Sequence, residues 1–292
     1  MTIVGVHARA PLGLLTLGLI LTLTVGACSR NATPAAEQRH VFVIVMENKS
    51  YPGPLTAPYT KSLASSFGVL EDYHAVAHPS LPNYLALTSG STWGITNDAY
   101  HRLPATQDLG HQLTGAGVRW RAYMEDMGPN CLKNAGLYVV KHNPFAYYGG
   151  ACPSNVVPFD QLSTDLAGNT PNLAWITPNL CNDTHDCSVK TGDTYLAGLV
   201  PGLLRALGPH GALFLLWDES GGSDSSGCCG GKAAGGHVPA IVAGEGARKG
   251  ATSSVAYDHY SVLRTIEDNW GLAELGNASC ACTHPMTDML LP

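Results

Sequence analysis

Two stretches decide the fold: VFVIVM (Val41–Met46), which runs directly into Glu47 and Asn48, and ALFLLW (Ala212–Trp217), which runs into Asp218 and Glu219. Each is short, continuously apolar and rich in β-branched or aromatic residues. That is the pattern of a strand buried on both faces of a parallel sheet. Each then sets oxygen-bearing side chains at the strand's carboxyl end, the edge where open α/β sheets bind ligands. Two such edges can hold a divalent cation between them.

Working outward, helical and strand patterns alternate. A surface helix is expected over 55–67, a second strand from Gly68 through Val76, and a short helix from Asn83 after a turn at Pro79 and Pro82. A helix over 108–116 leads to a strand over 118–124, and further strands are expected at 172–177 and in Val238–Gly244. Helices are expected over 195–207 and 261–270, with a loop of seven glycines from Ser220 to Gly236. The stretch 125–160 has no clear period and reads as an excursion. Alternating strands and helices imply a three-layer α/β/α sandwich around a mostly parallel central sheet. No repeat or long linker divides it, so residues 40–292 form one domain.

Residues 1–27 read as a secretory signal of the lipoprotein type: His7 and Arg9, an apolar core ending at Val25, then Gly26 and Ala27 before Cys28. The apolar run of roughly fifteen residues is shorter than the ~20 that span a bilayer. An uncleaved anchor helix is the competing reading. Cys28 is the expected lipidation site, and 28–39 a flexible tether. The domain is thus expected to be exported, either extracellular or periplasmic or held to a membrane face by its lipid. A net charge of −6 without a basic tract argues against nucleic acid as a partner. Apart from Cys28 there are eight cysteines, an even number that in an exported chain points to disulfides. Local closure suggests Cys131–Cys152 and Cys181–Cys187. Cys228, Cys229, Cys280 and Cys282 are expected to tie the glycine-rich loop to the C-terminal tail, with a structural zinc site as the rival.

Several residues can carry chemistry. Ser80 lies between Pro79 and Pro82 at a helix start, where the prolines stiffen the turn and a metal could lower the hydroxyl pKa. An ordinary N-cap is the plainer reading. Asp183 and His185 stand two apart in a loop that the Cys181–Cys187 bridge would clamp. His185 could bind a phosphoryl oxygen, protonate a leaving group or ligate a second metal, while Asp183 could simply cap backbone. His237 opens a strand after the glycine-rich loop. His259 begins the last helix, and His78 adjoins Ser80. His40, His101, His111, His142, His210 and His284 lack such placement and read as surface or loop residues. Carboxylates facing each other need a cation to stay ionised. Carboxylate, amide and hydroxyl ligands suit Mg²⁺, Ca²⁺ or Mn²⁺, and the histidines leave zinc open.

Six segments, HVFVIVMENKSY (40–51), HPSLPNYLALTSG (78–90), NLCNDTHDC (179–187), LFLLWDES (213–220), GGHVPAIVAG (235–244) and YDHYSVLRTIEDNWGL (257–272), resemble in content and order the bacterial phosphoesterase family of acid phosphatases and phosphocholine-preferring phospholipases C. That family belongs to the alkaline phosphatase superfamily, and the resemblance implies its α/β/α fold. It also implies Glu47, Asn48, Asp218 and Glu219 as metal ligands and Ser80 as metal-bound nucleophile forming a phosphoenzyme. His185 and His237 would contact the phosphoryl group or supply a proton. His78, Asp183 and His259 would support the site or hold a second metal. The chain is short beside the phospholipases C, which favours a phosphatase acting on small monoesters.

A phosphodiesterase or phospholipase C is the second enzymatic reading. The sulfatase signature C-x-P-x-R or S-x-P-x-R is absent around Ser80. A surface lipoprotein that binds ligands without catalysis is the alternative of another class.

Overall fold

The computed structural model describes residues 39–292. The expected signal segment, Cys28 and the tether up to residue 38 lie outside them. In chain order the first elements are β1 (Val41–Met46), α1 (Pro58–Ser66), β2 (Gly68–Leu70), β3 (Tyr73–His74), α2 (Ser80–Ser89), α3 (Leu109–Gly115) and β4 (Trp120–Met124). Then come β5 (Val156–Pro158), α4 (Gln161–Gly168), β6 (Leu173–Thr177), α5 (Val189–Leu207), β7 (Ala212–Trp217), β8 (Ala240–Ala243), β9 (Ala251–Ser253), β10 (Tyr257–Asp258) and α6 (His259–Trp270).

Eight strands form one sheet in the order β5-β4-β6-β1-β7-β8-β2-β9. All run parallel except β8, which is antiparallel to both neighbours. The apolar strands β1 and β7 lie side by side at its centre, and every residue of both is buried. Helices α1, α4 and α5 pack together as one covering layer, and α2, α3 and α6 as the other. The expected α/β/α sandwich is therefore the observed one. Among the described residues no helix is long and apolar enough to cross a membrane.

The helices owe their placement to their patterns. Helix α5 buries Leu196, Val200, Leu203 and Leu207 along one face. All ten residues of α2 are buried, so it runs through the interior. It ends at Gly90, whose φ of 67° is left-handed and where a Cβ would stand 2.0 Å from the Leu275 carbonyl oxygen. Helix α6 starts with a capping box between Asp258 and Ser261.

Some expectations are corrected. The strand expected from Gly68 to Val76 is two: β2 stays in the main sheet, while β3 turns away and pairs with β10. Helix α5 begins at Val189, six residues before the expected start, because the Ser188 hydroxyl caps it by accepting from the Thr191 N–H. Thr191 and Gly192 are weak helix formers and hid that turn. Helix α2 begins at Ser80 rather than Asn83. Pro82 is tolerated because first-turn N–H groups have no intrahelical partner. The bridges Cys131–Cys152 and Cys181–Cys187 are as expected. The other four cysteines pair locally, Cys228 with Cys229 and Cys280 with Cys282, and not from loop to tail. Loop and tail are nevertheless neighbours, since a Cβ on Gly230 would lie 3.7 Å from Cys282 Sγ.

Candidate active site

Register brings the two acid-bearing strand ends together. Met46 of β1 is opposite Trp217 of β7, so Glu47 and Asp218 follow at the same level on neighbouring parallel strands. The Asp218 N–H donates to the Met46 carbonyl at 2.9 Å, which extends the ladder one step past the strand. On the other side of β1, the Glu47 N–H donates to the Asp183 carbonyl at 2.8 Å, drawing in the loop after β6. Glu47, Asp183 and Asp218 are wholly buried.

Asn48 adopts a left-handed backbone, φ 54°, a conformation that asparagine tolerates better than most residues. This turns its N–H onto Asp218 Oδ1 at 3.0 Å. The next residue, Lys49, sends its ammonium to the Thr184 carbonyl at 2.6 Å and fastens the two loops to each other.

Ser80 is the first residue of α2, with Pro79 in the cap position, and its hydroxyl does not cap the helix. Its Oγ lies 3.0 Å from Glu47 Oε2 and 3.0 Å from Glu219 Oε1. A hydroxyl has one proton, so only one of these contacts can be a hydrogen bond at a time. The other sets two oxygen lone pairs against each other, an arrangement that a shared cation relieves. Glu219 is held by His78 Nδ1, and His78 Nε2 by the Asp224 carbonyl at 2.8 Å. Tyr84, one turn along α2, donates to Glu47 Oε1 at 2.6 Å. The Asp98 carboxylate accepts the Leu81 N–H at 3.1 Å, answering the helix start beside Ser80.

The buried carboxylates crowd one another electrostatically. Burial, and then the nearby Asp183, raise the Glu47 pKa well above the carboxylate range. Burial, then Glu47 and Glu219, do the same to Asp218. Asp183 is pushed up to about 8, chiefly by burial. Asp218 Oδ2 and Asp183 Oδ2 are buried with no hydrogen-bond partner. The nearby ammonium groups are those of Lys49 and Lys141, and Lys141 is already paired with Asp98 at 3.0 Å. Crowded, orphaned carboxylate oxygens with a hydroxyl between them fit a hard divalent cation. Glu47 and Asp218 share a side-chain hydrogen bond, and Ser80 joins Glu47 to Glu219. Among the described residues, the thiol, imidazole or carboxylate atoms that gather within 4.8 Å are those of Cys228, Cys229 and Asp258. There the two sulfurs are already joined to each other.

The structure thus brings Glu47, Ser80, Asp218 and Glu219 into one cluster, with Asn48 contributing its backbone N–H, and sets His78 and Asp183 against it. His185 stands at the rim: its N–H donates to Asp183 Oδ1 at 2.7 Å, and Nδ1 lies 2.6 Å from Asp186 Oδ1. His259 is buried behind Asp218, with Nε2 2.6 Å from the Asp218 carbonyl and Nδ1 2.7 Å from the Tyr73 hydroxyl. Burial holds its pKa down at about 4. His237 is placed elsewhere. Its ring stacks on Tyr51 and His74, with centroids 4.3 and 5.2 Å away, and its Nε2 is 2.8 Å from the Glu71 carbonyl.

His142 corrects the reading of that residue as surface or loop. It is buried, stacked on Tyr84 at 5.2 Å, with Nε2 3.1 Å from Glu47 Oε1 and Nδ1 3.5 Å from Asp183 Oδ2. Burial holds its pKa well below the usual imidazole value. Its ring is 5.8 Å from that of His185. It arrives from the excursion between β4 and β5, where no periodicity marks it.

A buried hydroxyl thus stands among carboxylates at the carboxyl edge of a parallel sheet in an α/β/α sandwich. Solved proteins share that fold. A Vibrio parahaemolyticus protein of the alkaline phosphatase superfamily superimposes with a TM-score of 0.61 over 87% of this chain and 71% of that one, at 10% identity. Murine ectonucleotide pyrophosphatase/phosphodiesterase 5, in an inactive form in complex with AMP, gives 0.59 over 87% and 100%, at 12% identity. The Phosphoesterase family profile matches residues 53–273. A phosphatidylinositol-3-phosphatase of Mycobacterium tuberculosis is 30% identical over 97% of this chain and 94% of its own length. An acid phosphatase of Aspergillus fumigatus is 30% identical over 82% of this chain, which spans 56% of that enzyme. The chain belongs to the Phosphoesterase family, a family of phosphoric ester hydrolases.

Proposed function

We propose that the chain hydrolyses phosphate monoesters with Ser80 as the nucleophile and a divalent cation held by Glu47, Asn48, Asp218 and Glu219. The observation that carries this is the Ser80 hydroxyl, held between two buried carboxylates that have too little positive charge around them. The relatives named phosphatases support monoesters as the substrate class. A bound cation would stabilise the Ser80 alkoxide and neutralise phosphoryl oxygens.

The side chains then divide the work. Glu219, fixed by His78, and Glu47, fixed by Tyr84, orient Oγ for in-line attack, and one of the two carboxylates receives its proton. His185 lies at the rim, and with Nδ1 turned to Asp186 it leaves Nε2 to protonate the departing alkoxide. Water then cleaves the phosphoserine from the side that the alcohol has left. In this reading His142 and His259 hold Glu47 and Asp218 in place, and His237, stacked on Tyr51 and His74, takes no part. Disulfides throughout the domain accord with export into an oxidising compartment.

The test combines metal analysis of the purified domain with p-nitrophenyl phosphate hydrolysis before and after chelation, and acid quenching to trap phosphoserine. Ser80→Ala is expected to lower kcat by at least about 10³-fold and to abolish the trapped species. Full turnover in strong chelator with no bound ion, or an active Ser80→Ala enzyme, would overturn the reading. Hydrolysis of bis-p-nitrophenyl phosphate in preference to the monoester would transfer it to a phosphodiesterase.

A further inference from the structure

Asp98, whose carboxylate accepts the Leu81 N–H one residue beyond Ser80, also lines a cavity of about 440 Å³ that hydrolysis of the phosphate group alone does not require. Lys141, Tyr147, Tyr100, Asn134 and Lys133 share its wall. Lys141 pairs with Asp98 and stands within electrostatic reach of Glu47 and Asp218. The Tyr100 and Tyr147 rings are 5.0 Å apart, and the Tyr100 hydroxyl donates to the Ala146 carbonyl at 3.1 Å.

The wall also carries cations. Lys141 is answered by Asp98, but Lys133 is exposed and has no ion-pair partner among the described residues. Its backbone is not loose. Its N–H donates to the Asn130 carbonyl, and it sits two residues from the Cys131–Cys152 bridge that closes the excursion. A cavity with tyrosines and an unanswered ammonium on its wall suits a ring or polyol that bears an anion.

We propose that this cavity receives the leaving group, and that Lys133 selects monoesters whose alcohol carries a second phosphate. This rests on Ser80 being the nucleophile, because the cavity is assigned through Asp98, which binds the backbone beside that residue. Stacking on the exposed Tyr100 ring orients the alcohol, and Lys133 meets the second phosphate as a point charge. An ammonium at an exposed position contributes modestly, so discrimination of about fivefold is expected rather than orders of magnitude.

The experiment measures kcat/KM for fructose 1,6-bisphosphate relative to p-nitrophenyl phosphate, in the unaltered enzyme and in Lys133→Ala and Lys133→Glu. A lipid arm uses a phosphoinositide in phosphatidylcholine vesicles and separates a membrane source of the second phosphate from a soluble one. Expected is a fall of about fivefold in that ratio for Lys133→Ala, larger for Lys133→Glu, expressed mainly in KM and shrinking at high salt. A fall in either arm supports the proposal and names the source. An unchanged ratio in both arms overturns it and leaves the Ser80 reading intact. An active Ser80→Ala enzyme instead removes the reading beneath it.

Discussion

At the scale of single residues, His142 touches Glu47 and Asp183, which makes it a positioning residue in the proposed site. His142→Gln should lower metal affinity or kcat by about 10–100-fold. Isothermal titration of the metal-free protein with Mn²⁺, beside steady-state kinetics, would show it. Unchanged affinity and unchanged kcat would mean that the ring only fills space. The sequence did not mark this residue: its neighbours Pro144, Phe145 and Ala146 are buried in a 3₁₀ turn, and nothing in their order distinguishes a site imidazole from a loop one. Ser80 stood out because two prolines and a helix start made its surroundings unusual, and Glu47 and Asp218 because each follows an uninterrupted apolar strand. His237 precedes β8, which runs antiparallel and so begins at the carboxyl edge, opposite Leu216 of β7, but its ring stacks on Tyr51 and His74.

At the scale of elements, the core strands were read to within a residue, since β1 and β7 are simple runs of buried apolar side chains. Error gathered at helix starts and in the strand from 68 to 76. In both, a local device decides the outcome: the Ser188 cap in one case, the β3–β10 pairing in the other. Such devices act between side chains and distant backbone, and hydrophobic period does not register them. The loop after β6 shows how an element serves the site. Cys181–Cys187 closes six residues of sequence around Asp183 and His185, and the Thr184 hydroxyl adds a bond to the Glu47 carbonyl at 2.8 Å. Replacing both cysteines by serine should cost about 2 kcal/mol of stability. Because the loop carries two site residues, kcat should fall as well, and more than KM changes. Urea unfolding and steady-state kinetics on Cys181→Ser/Cys187→Ser would check both. A stability loss at undiminished kcat would show that the bridge serves the fold alone.

At the scale of the whole molecule, the sandwich concentrates negative charge where it is least solvated. Glu47, Asp183 and Asp218 come from three separate segments, and folding itself buries them together. In the metal-free protein their pKa values all lie above the ordinary carboxylate range because of burial, Asp183 at about 8. A carboxyl raised in this way favours the folded state below its unfolded pKa, and that contribution is lost as pH rises through the folded value. The stripped protein should therefore lose stability progressively between about pH 4 and pH 8. A bound divalent cation reverses this, since it favours the ionised acids and binds better as they deprotonate. Chelation should then lower Tm by only about a degree near pH 5, where protons already neutralise the cluster, and by several degrees near pH 8. Scanning calorimetry with and without chelator at the two pH values measures the difference. Equal shifts at both, or none at pH 8, would mean that these acids find their counter-charge within the chain and that the cation has no place among them.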